Sequence, residues 1–248
     1  MPEPTHDFRN TYADETRADA YAGLGFPGTY SLGFRDIPAI TREHVTGTAA
    51  LDFGCGTGRS TRFLRDLGYD AVGVDIAEEM LRRARAADPA GAYLRVADGS
   101  LDALAGRAFD LVFSAFTFDN VPTREKKVAL FGALGALLRP TGRIVNLVSS
   151  ADIYTHEWVS FSTRDFPENR HARTGDVVRI VMLDVPDRRP VEDVFWPDDA
   201  YRDVYQEAGL DVVAWHQPLG RDDEPHVWVS ETTVSPWSIY VLRRADGQ

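Results

Sequence analysis

The stretch that decides the fold is Leu51-Asp52-Phe53-Gly54-Cys55-Gly56-Thr57-Gly58-Arg59, which follows a short apolar run and precedes a helical pattern. Its three glycines stand at alternate positions, where they allow a tight turn and let a ligand approach the backbone closely. The free N–H groups at the start of the following helix would face that ligand. The stretch therefore predicts a ligand-binding loop between a strand and a helix.

A carboxylate at the end of the next apolar run indicates which ligand the loop binds. Asp75 stands there and can accept hydrogen bonds from both hydroxyls of a ribose. The dinucleotide pattern G-x-G-x-x-G needs a small residue where this chain has Arg59. Asp52, beside the loop, would repel a pyrophosphate and attract an amino group. The residues therefore predict a nucleoside cofactor with an amino-acid tail more strongly than one with phosphates.

Short apolar runs alternate with helical patterns over most of the chain, which is typical of a parallel sheet covered by crossover helices. Beyond residue 149 this rhythm is interrupted by an aromatic-rich stretch, residues 152–173. Two further runs, 177–185 and 191–196, predict an antiparallel ribbon at the edge or the top of the sheet. The predicted strands of the sheet itself are 49–53, 71–74, 93–97, 109–115, 144–148, 212–215 and 239–242.

From residue 49 to residue 148, an acidic residue before G-x-G-x-G and the motifs that follow it resemble the class I S-adenosylmethionine-dependent methyltransferases. The resemblance implies an α/β fold with a Rossmann-like, mostly parallel seven-stranded sheet and helices on both faces. An N-terminal helical lid and a β-ribbon with an aromatic insert after the fifth strand would be added to it. We expect one domain over 1–248, divided into the lid (1–47), the cofactor-binding core (48–149), a substrate-specificity insert (150–196) and the end of the sheet (197–248).

The same resemblance implies the roles of the residues that bind S-adenosylmethionine. The three loop glycines would line the methionine tail, Asp52 would lie near its amino group, and Asp75 would hold the ribose. Ile76 would pack on the adenine, and an acidic residue after the third strand would accept the adenine amino group. The implied cofactor residues are Tyr12, Asp52, Gly54, Gly56, Gly58, Asp75, Ile76, Asp98, Gly99 and Ser114, the last of which would pass beneath the sulfonium.

The acceptor is expected to bind between the lid, the loop after the fourth strand and the aromatic insert. The candidate acceptor-binding residues are Tyr30, Phe118, Asn120, Tyr154 and Trp158. A hydroxyl acceptor would need a base, and His156 is the first candidate because its reference pKa of about 6.5 suits proton removal at neutral pH. Asp119 is the second candidate. An amine that is already neutral would need no base.

Composition limits the partners that the protein can have. The formal net charge is −11, and its 27 Lys and Arg residues form no basic stripe, which argues against nucleic acid as a partner. No apolar run is long enough for a membrane helix, and the N-terminus lacks a signal segment. The single cysteine, Cys55, agrees with a reducing, cytoplasmic location, and no metal site is expected. A homodimer is compatible with the sequence, which does not decide the oligomeric state.

The sequence therefore favours a methyltransferase that modifies the oxygen or nitrogen of a small molecule in specialised metabolism and releases S-adenosylhomocysteine. Two alternatives remain open at this stage. One is an enzyme on the same fold that binds S-adenosylmethionine but catalyses a cyclisation or rearrangement. The other is a nicotinamide-dependent oxidoreductase, which Asp52 and Arg59 disfavour.

Overall fold

The apolar runs form strands, and the segments between them form turns and helices. The computed structural model describes residues 25–97 and 100–245. Within those residues the strands are β1 Ala49–Phe53, β2 Asp70–Asp75, β3 Ala92–Arg95, β4 Phe109–Ala115, β5 Leu138–Ser149, β6 Phe161–Ser162, β7 Val177–Met182, β8 Val191–Val194, β9 Leu210–His216 and β10 Trp237–Arg244. The α-helices of the same residues are α1 Thr29–Arg35, α2 Ile37–His44, α3 Arg59–Asp66, α4 Glu78–Ala87, α5 Arg124–Ala136 and α6 Asp198–Glu207.

Seven strands form the main sheet in the order β3-β2-β1-β4-β5-β10-β9. Neighbours from β3 to β5 run parallel, and β10 is antiparallel to both β5 and β9. The chain moves outward from β1 to β3 and then returns to the other side of β1, so the strand order reverses between β1 and β4. A crevice opens outside the carboxyl ends of the strands at such a reversal. The predicted mostly parallel, seven-stranded sheet is confirmed.

Helices cover both faces of the sheet because alternate strand residues point to opposite sides. On one face, Leu111 of β4 belongs to the same buried cluster as Ile37 of α2. On the other face, Val112 of β4 shares a buried cluster with Phe131 of α5 and Tyr205 of α6. Helices α1 and α2, from the described end of the predicted lid, thus contribute to the hydrophobic core. No helix among the described residues is both long enough and apolar enough to cross a membrane.

The predicted antiparallel ribbon is present as β7 and β8, which pair with Val178 opposite Asp193. It is not at the edge of the main sheet, whose outer strands are β3 and β9. Instead, the two strands form a separate three-stranded sheet with β6, which the sequence did not predict. Strand β6 contains only two residues, so it is too short to show an alternating pattern.

The fifth strand begins earlier than its apolar pattern indicates. Pro140 and Gly142, whose residue types favour turns, lie inside β5. The register explains the difference: Phe109 pairs with Leu138 and Leu111 pairs with Arg143, so the residues between the two partners on β5 bulge out of the ladder. The turn-forming residues are therefore accommodated as a bulge within one strand.

Candidate active site

The first cavity lies outside the carboxyl ends of β1 to β4, where the topology places a crevice. It contains about 1100 Å³ of empty space, part of which is open to solvent. Its walls come from the ends of four strands and from the segments that follow them. They include Phe53, Gly54, Gly56, Asp75, Ile76, Val96, Leu101, Ala115, Phe116, Thr117 and Asn120.

The glycine loop forms one wall of the first cavity, and Gly54 and Gly56 both have a left-handed backbone conformation there. A Cβ atom on Gly54, which has a φ of 74°, would lie 2.1 Å from Oγ1 of Thr117. Gly56 has a φ of 52°, and a Cβ atom there would meet no heavy atom within 4 Å. Gly58 precedes α3 in the left-handed conformation and does not line the cavity. The loop therefore presents bare backbone to the cavity at Gly54 and Gly56.

Asp75 is fixed at the rim of the first cavity by backbone donors. Its Oδ2 accepts a hydrogen bond from the N–H of Gly56 at 2.9 Å, and its Oδ1 accepts one from the N–H of Ala77 at 2.8 Å. Desolvation raises the pKa of the carboxyl group, while the two backbone hydrogen bonds oppose this shift. Each carboxylate oxygen has a second lone pair available. The side chain can therefore accept two further hydrogen bonds from a ligand without moving.

Asp52 is buried beneath the loop, and only one of its carboxylate oxygens is used. Oδ2 accepts hydrogen bonds from Oγ of Ser60 at 2.7 Å and from Oγ1 of Thr61 at 2.6 Å. Oδ1 is also buried and has no hydrogen-bond partner among the described residues. Desolvation raises the pKa of Asp52 to about 6, so it carries a negative charge at neutral pH. An unsatisfied buried carboxylate oxygen is costly, and a ligand cation near it would reduce that cost.

Of the remaining residues predicted to bind the cofactor, some line the first cavity and some do not. Ile76 lines the first cavity beside Asp75. Ser114 is fully buried and does not line it, and the wall at the end of β4 is formed by the next residues, Ala115 to Thr117. Tyr12, Asp98 and Gly99 lie outside the described residues.

A second cavity adjoins the first, and Phe116 and Asn120 line both. Phe116 has a φ of 61°, a left-handed conformation that is unfavourable for a residue with a bulky side chain. Its ring contacts that of Trp237, with 4.6 Å between the ring centroids. The second cavity contains about 420 Å³ of empty space, again partly open. Phe116 therefore lies between two adjoining spaces, and its contact with Trp237 helps to hold its strained backbone.

Aromatic rings and two carboxylates line the second cavity. Tyr30, Phe161 and Trp237 join Phe116 in the walls, and Asp119 and Asp193 contribute the acidic groups. Tyr30 and Phe161 have ring centroids 4.9 Å apart. These residues come from α1, β4, β6, β8 and β10 or from the segments beside them. The second cavity therefore lies where the predicted lid, the predicted insert and the main sheet meet.

Asp119 is held in place and balanced by a buried lysine. Its Oδ2 accepts hydrogen bonds from the backbone N–H of Ser149 at 3.1 Å and from the hydroxyl of Ser149 at 2.9 Å. Desolvation raises its pKa to about 6, opposed by those bonds and by the charge of Lys127. Lys127 is completely buried and donates a hydrogen bond to the carbonyl of Phe118. Burial lowers the pKa of Lys127 to about 7, and Asp119 opposes this shift more than Asp193 does.

Asp193 of β8 was not identified from the sequence. Its Oδ2 accepts a hydrogen bond from the hydroxyl of Tyr154 at 3.2 Å. Desolvation raises the pKa of Asp193 to about 8 and the negative charge of Asp119 adds to this shift, whereas the hydrogen bond from Tyr154 and the charge of Lys127 oppose it. Asp193 is two residues from Val191, which also lines the second cavity, so both side chains lie on the same face of β8. Glu192, between them, is exposed and pairs with Arg179.

The acceptor residues predicted from the sequence are not all brought together. Tyr30 and Asn120 line the second cavity, and Tyr154 is buried behind it in contact with Asp193. Phe118 is fully buried and stacks on Phe131, with 3.9 Å between the ring centroids, so it packs in the core. Trp158 is also buried and lines neither cavity.

The two candidate bases occupy different surroundings. Asp119 lines the second cavity. His156 lines neither cavity, and its Nδ1 lies 3.1 Å from both the carbonyl oxygen of Asp152 and Oγ1 of Thr155. It is therefore part of the local turn.

A buried carboxylate outside the cavities joins three distant segments of the chain. Glu231 accepts hydrogen bonds from Oγ1 of Thr29 at 2.6 Å and from the N–H of Val159 at 2.8 Å. Its other oxygen accepts bonds from the N–H groups of Val229 and Ser230. Tyr30 comes directly after Thr29 in the sequence, and Phe161 comes shortly after Val159. We call this group of hydrogen bonds the Glu231 clasp, and it fixes two aromatic walls of the second cavity.

Comparison with known proteins agrees with this geometry. Residues 50–142 match the family described as a methyltransferase domain. The N-demethylindolmycin N-methyltransferase of Streptomyces griseus is 24% identical over 228 residues, which cover 90% of this chain and 93% of that protein. The CcbJ methyltransferase of Streptomyces caelestis has a similar structure, with a TM-score of 0.63, 19% identity and coverage of 92% of this chain and 96% of that one.

A third similar structure contains the methyl donor. It is the glycopeptide N-methyltransferase MtfA in complex with S-adenosylmethionine, with a TM-score of 0.59, 13% identity and coverage of 86% of this chain and 93% of that one. The fold and the glycine-lined crevice thus define a class I methyltransferase fold. Together with the match of residues 50–142 to the methyltransferase domain family, they support an S-adenosylmethionine-dependent methyltransferase.

Proposed function

We propose that this enzyme transfers the methyl group of S-adenosylmethionine from the first cavity to a small-molecule acceptor in the second cavity. The observation that carries the proposal is that the two cavities adjoin and share Phe116 and Asn120 as walls. The relatives named above for N-demethylindolmycin and for a glycopeptide support a small acceptor. A cavity of this size with aromatic walls also suits a small molecule better than a polymer. We place the reaction in specialised metabolism.

The residues of the first cavity fit the cofactor that the family uses. Asp75 would accept hydrogen bonds from the ribose hydroxyls, and Ile76 would pack on the adenine. The bare backbone at Gly54 and Gly56 would lie against the methionine tail. The unsatisfied Oδ1 of Asp52 supplies a negative charge beneath the loop for the amino group of that tail. These assignments leave no dense positive charge of the kind a pyrophosphate requires, so the nicotinamide alternative gains no support.

When bound, S-adenosylmethionine supplies a methyl group that moves to the acceptor while the electron pair of the broken C–S bond stays on sulfur, giving S-adenosylhomocysteine. The chain's own contribution is alignment and exclusion of water. Phe116 and Asn120 would set the distance between the two ligands. The buried aromatic walls would keep water from the reacting atoms.

The cofactor assignment is tested by replacing Asp75 with Asn. We expect weaker binding of S-adenosylmethionine by about 1–3 kcal/mol, because the amide offers fewer acceptor sites to the ribose. Calorimetric titration measures this loss. Asp70→Asn is the matched control, since Asp70 is exposed at the opposite end of the same strand. Equal affinity in wild type and in a folded Asp75→Asn variant would exclude Asp75 from ribose binding.

The acceptor is identified by incubating the enzyme with labelled S-adenosylmethionine and a metabolite extract of its source organism. We expect a labelled small molecule, detected by mass spectrometry. Label found only in protein or nucleic acid would contradict a small-molecule acceptor. A product altered without gaining a methyl group would instead support the cyclisation or rearrangement alternative.

A further inference from the structure

We propose that the acceptor is an amine that enters the second cavity as a cation, and that the Asp193 carboxylate binds its ammonium group and takes a proton from it. This inference rests on the proposed function and adds the substrate class and a further residue for the reaction. It follows from the charges around the cavity and from the nature of its walls.

Two carboxyl groups line the second cavity, and one buried lysine lies beside them. Asp119 and Asp193 both line the cavity, whereas Lys127 is buried beside them and is influenced more by Asp119. Asp119 is also held by two hydrogen bonds from Ser149. Among the described residues, no cation forms an ion pair with Asp193, whose Oδ2 accepts one hydrogen bond from Tyr154. The cavity therefore has a carboxylate available for a ligand cation.

The walls of the cavity also favour a cation. Tyr30, Phe116, Phe161 and Trp237 surround it on several sides, with ring centroids between 4.6 and 5.9 Å from one another. Ring faces attract ammonium groups when these lie within about 6 Å of the ring centre. A carboxylate acceptor would meet two acidic side chains, and a neutral hydroxyl acceptor would form no ion pair with Asp193. An amine that binds as a cation can pair with Asp193 and contact the aromatic rings at the same time.

Proton transfer to Asp193 would prepare the amine for reaction. An ammonium nitrogen has no lone pair, so it must lose a proton before it can accept a methyl group. The proton passes from the R₂NH₂⁺ nitrogen to the carboxylate of Asp193, which leaves neutral R₂NH and a neutral carboxylic acid. The raised pKa of Asp193, about 8, brings its proton affinity closer to that of an amine than an ordinary carboxylate would. Tyr154, Asp119 and Lys127 are the titratable groups that face it.

The same step would promote product release. Methyl transfer to neutral R₂NH gives the cation R₂NH–CH₃⁺, while Asp193 still holds the proton that it accepted. The product cation then leaves a side chain that no longer carries a charge. Asp193 keeps this proton until the next ammonium ion binds, when the proton passes to solvent. One proton is thus released in each cycle.

The inference is tested first by binding, independently of turnover. Arylalkyl amines, alcohols and carboxylates with matched phenylethyl, naphthylethyl and indolylethyl skeletons are titrated into the enzyme saturated with S-adenosylhomocysteine. We expect the best amine to bind at least tenfold more tightly than the matching alcohol, and the carboxylate to bind most weakly. Asp193→Asn should remove the preference for the amine. Glu192→Gln, next to it on the exposed face of β8, should keep it.

A second readout counts protons. At pH 7 the free Asp193 side chain is mostly protonated, because its pKa lies near 8, and the free amine is an ammonium ion. The complex holds one proton fewer, so binding should release close to one proton per amine, measured by calorimetry in buffers of different ionisation enthalpy. In Asp193→Asn the release should disappear, and in Glu192→Gln it should persist.

The outcomes separate this inference from the proposed function. Equal binding of amines and alcohols in every skeleton, or an unchanged preference in a folded Asp193→Asn variant, would overturn the amine proposal. A labelled product of the extract experiment methylated on oxygen would also overturn it, while leaving small-molecule methyl transfer intact. By contrast, a wild-type enzyme that fails to label any small molecule yet still prefers amines would overturn the proposed function alone.

Discussion

Gly56 gives the sharpest test of how the glycine loop meets the methyl donor. Its φ of 52° is left-handed, and a Cβ atom there would project into open space, with no heavy atom of the protein within 4 Å. Gly56→Ala should therefore cost only the strain of a left-handed alanine, about 1–2 kcal/mol. In a protein of this size each 1 kcal/mol lowers the melting temperature by about 2–4 °C. The added methyl group would nevertheless occupy space at the cavity wall.

We expect Gly56→Ala to lose at least about tenfold in affinity for S-adenosylmethionine, which corresponds to about 1.4 kcal/mol. Gly106→Ala is a matched control, because Gly106 also has a left-handed φ, 78°, and open space around its missing Cβ, but does not line the cavity. Both variants should show a similar fall in melting temperature, and only Gly56→Ala should bind the donor weakly in calorimetry. Unchanged affinity in Gly56→Ala would refute close contact between the loop and the ligand, and equal losses in both variants would attribute the effect to stability.

Two further predictions concern buried charges. Burial raises the pKa of Asp52 in the folded protein to about 6, whereas its pKa in the unfolded chain is about 4. As the pH rises from about 4 to 6, the unfolded chain therefore loses the proton of Asp52 before the folded protein does. The free energy of unfolding of the wild type should fall over this range by up to about 3 kcal/mol relative to that of Asp52→Asn. Urea unfolding at several pH values measures this difference, and parallel pH profiles would contradict it. Lys127→Met should destabilise the fold by about 3–5 kcal/mol because it leaves Asp119 without its balancing charge. The loss should be largest near about pH 6.5, between the pKa values of Asp119 and Lys127, and smaller both at pH 5, where Asp119 is mostly protonated, and at pH 8, where Lys127 is mostly neutral. A loss independent of pH would show that the pair is not charged.

Much of the sheet could be predicted because its strands are buried on both faces and connected in sequence order. The runs at residues 49–53 and 109–115 coincide with β1 and β4, since each is short, apolar and bounded by a glycine or a polar turn. The loop and Asp75 were also identifiable, because local spacing alone places them at the end of a strand. These features depend on contacts between residues that are close in sequence.

The acceptor side could not be predicted in the same way, because it depends on which distant segments pack together. Trp158 and Phe118 have polar neighbours in the sequence, as aromatic residues that line a binding site often do. Both are nevertheless buried in the folded protein. Asp193 lies in a short strand with neighbouring charged residues, a pattern typical of a solvent-exposed ribbon. It lines a cavity because β8 packs near the carboxyl end of β4. No local pattern distinguishes these cases.

The Glu231 clasp has a consequence for the order in which the molecule is assembled. Its hydrogen bond to Thr29 joins residues 202 positions apart, and the indole of Trp237 donates to the carbonyl of Thr29 across 208 positions. Contacts of such high sequence separation cost the most chain entropy to close and form late in folding. During synthesis, Thr29 of α1 cannot form these hydrogen bonds until Glu231 and Trp237 have left the ribosome, when almost the whole chain has been made. We therefore expect the nascent enzyme to acquire the elements of its nucleoside crevice well before it has a place for the molecule that it methylates.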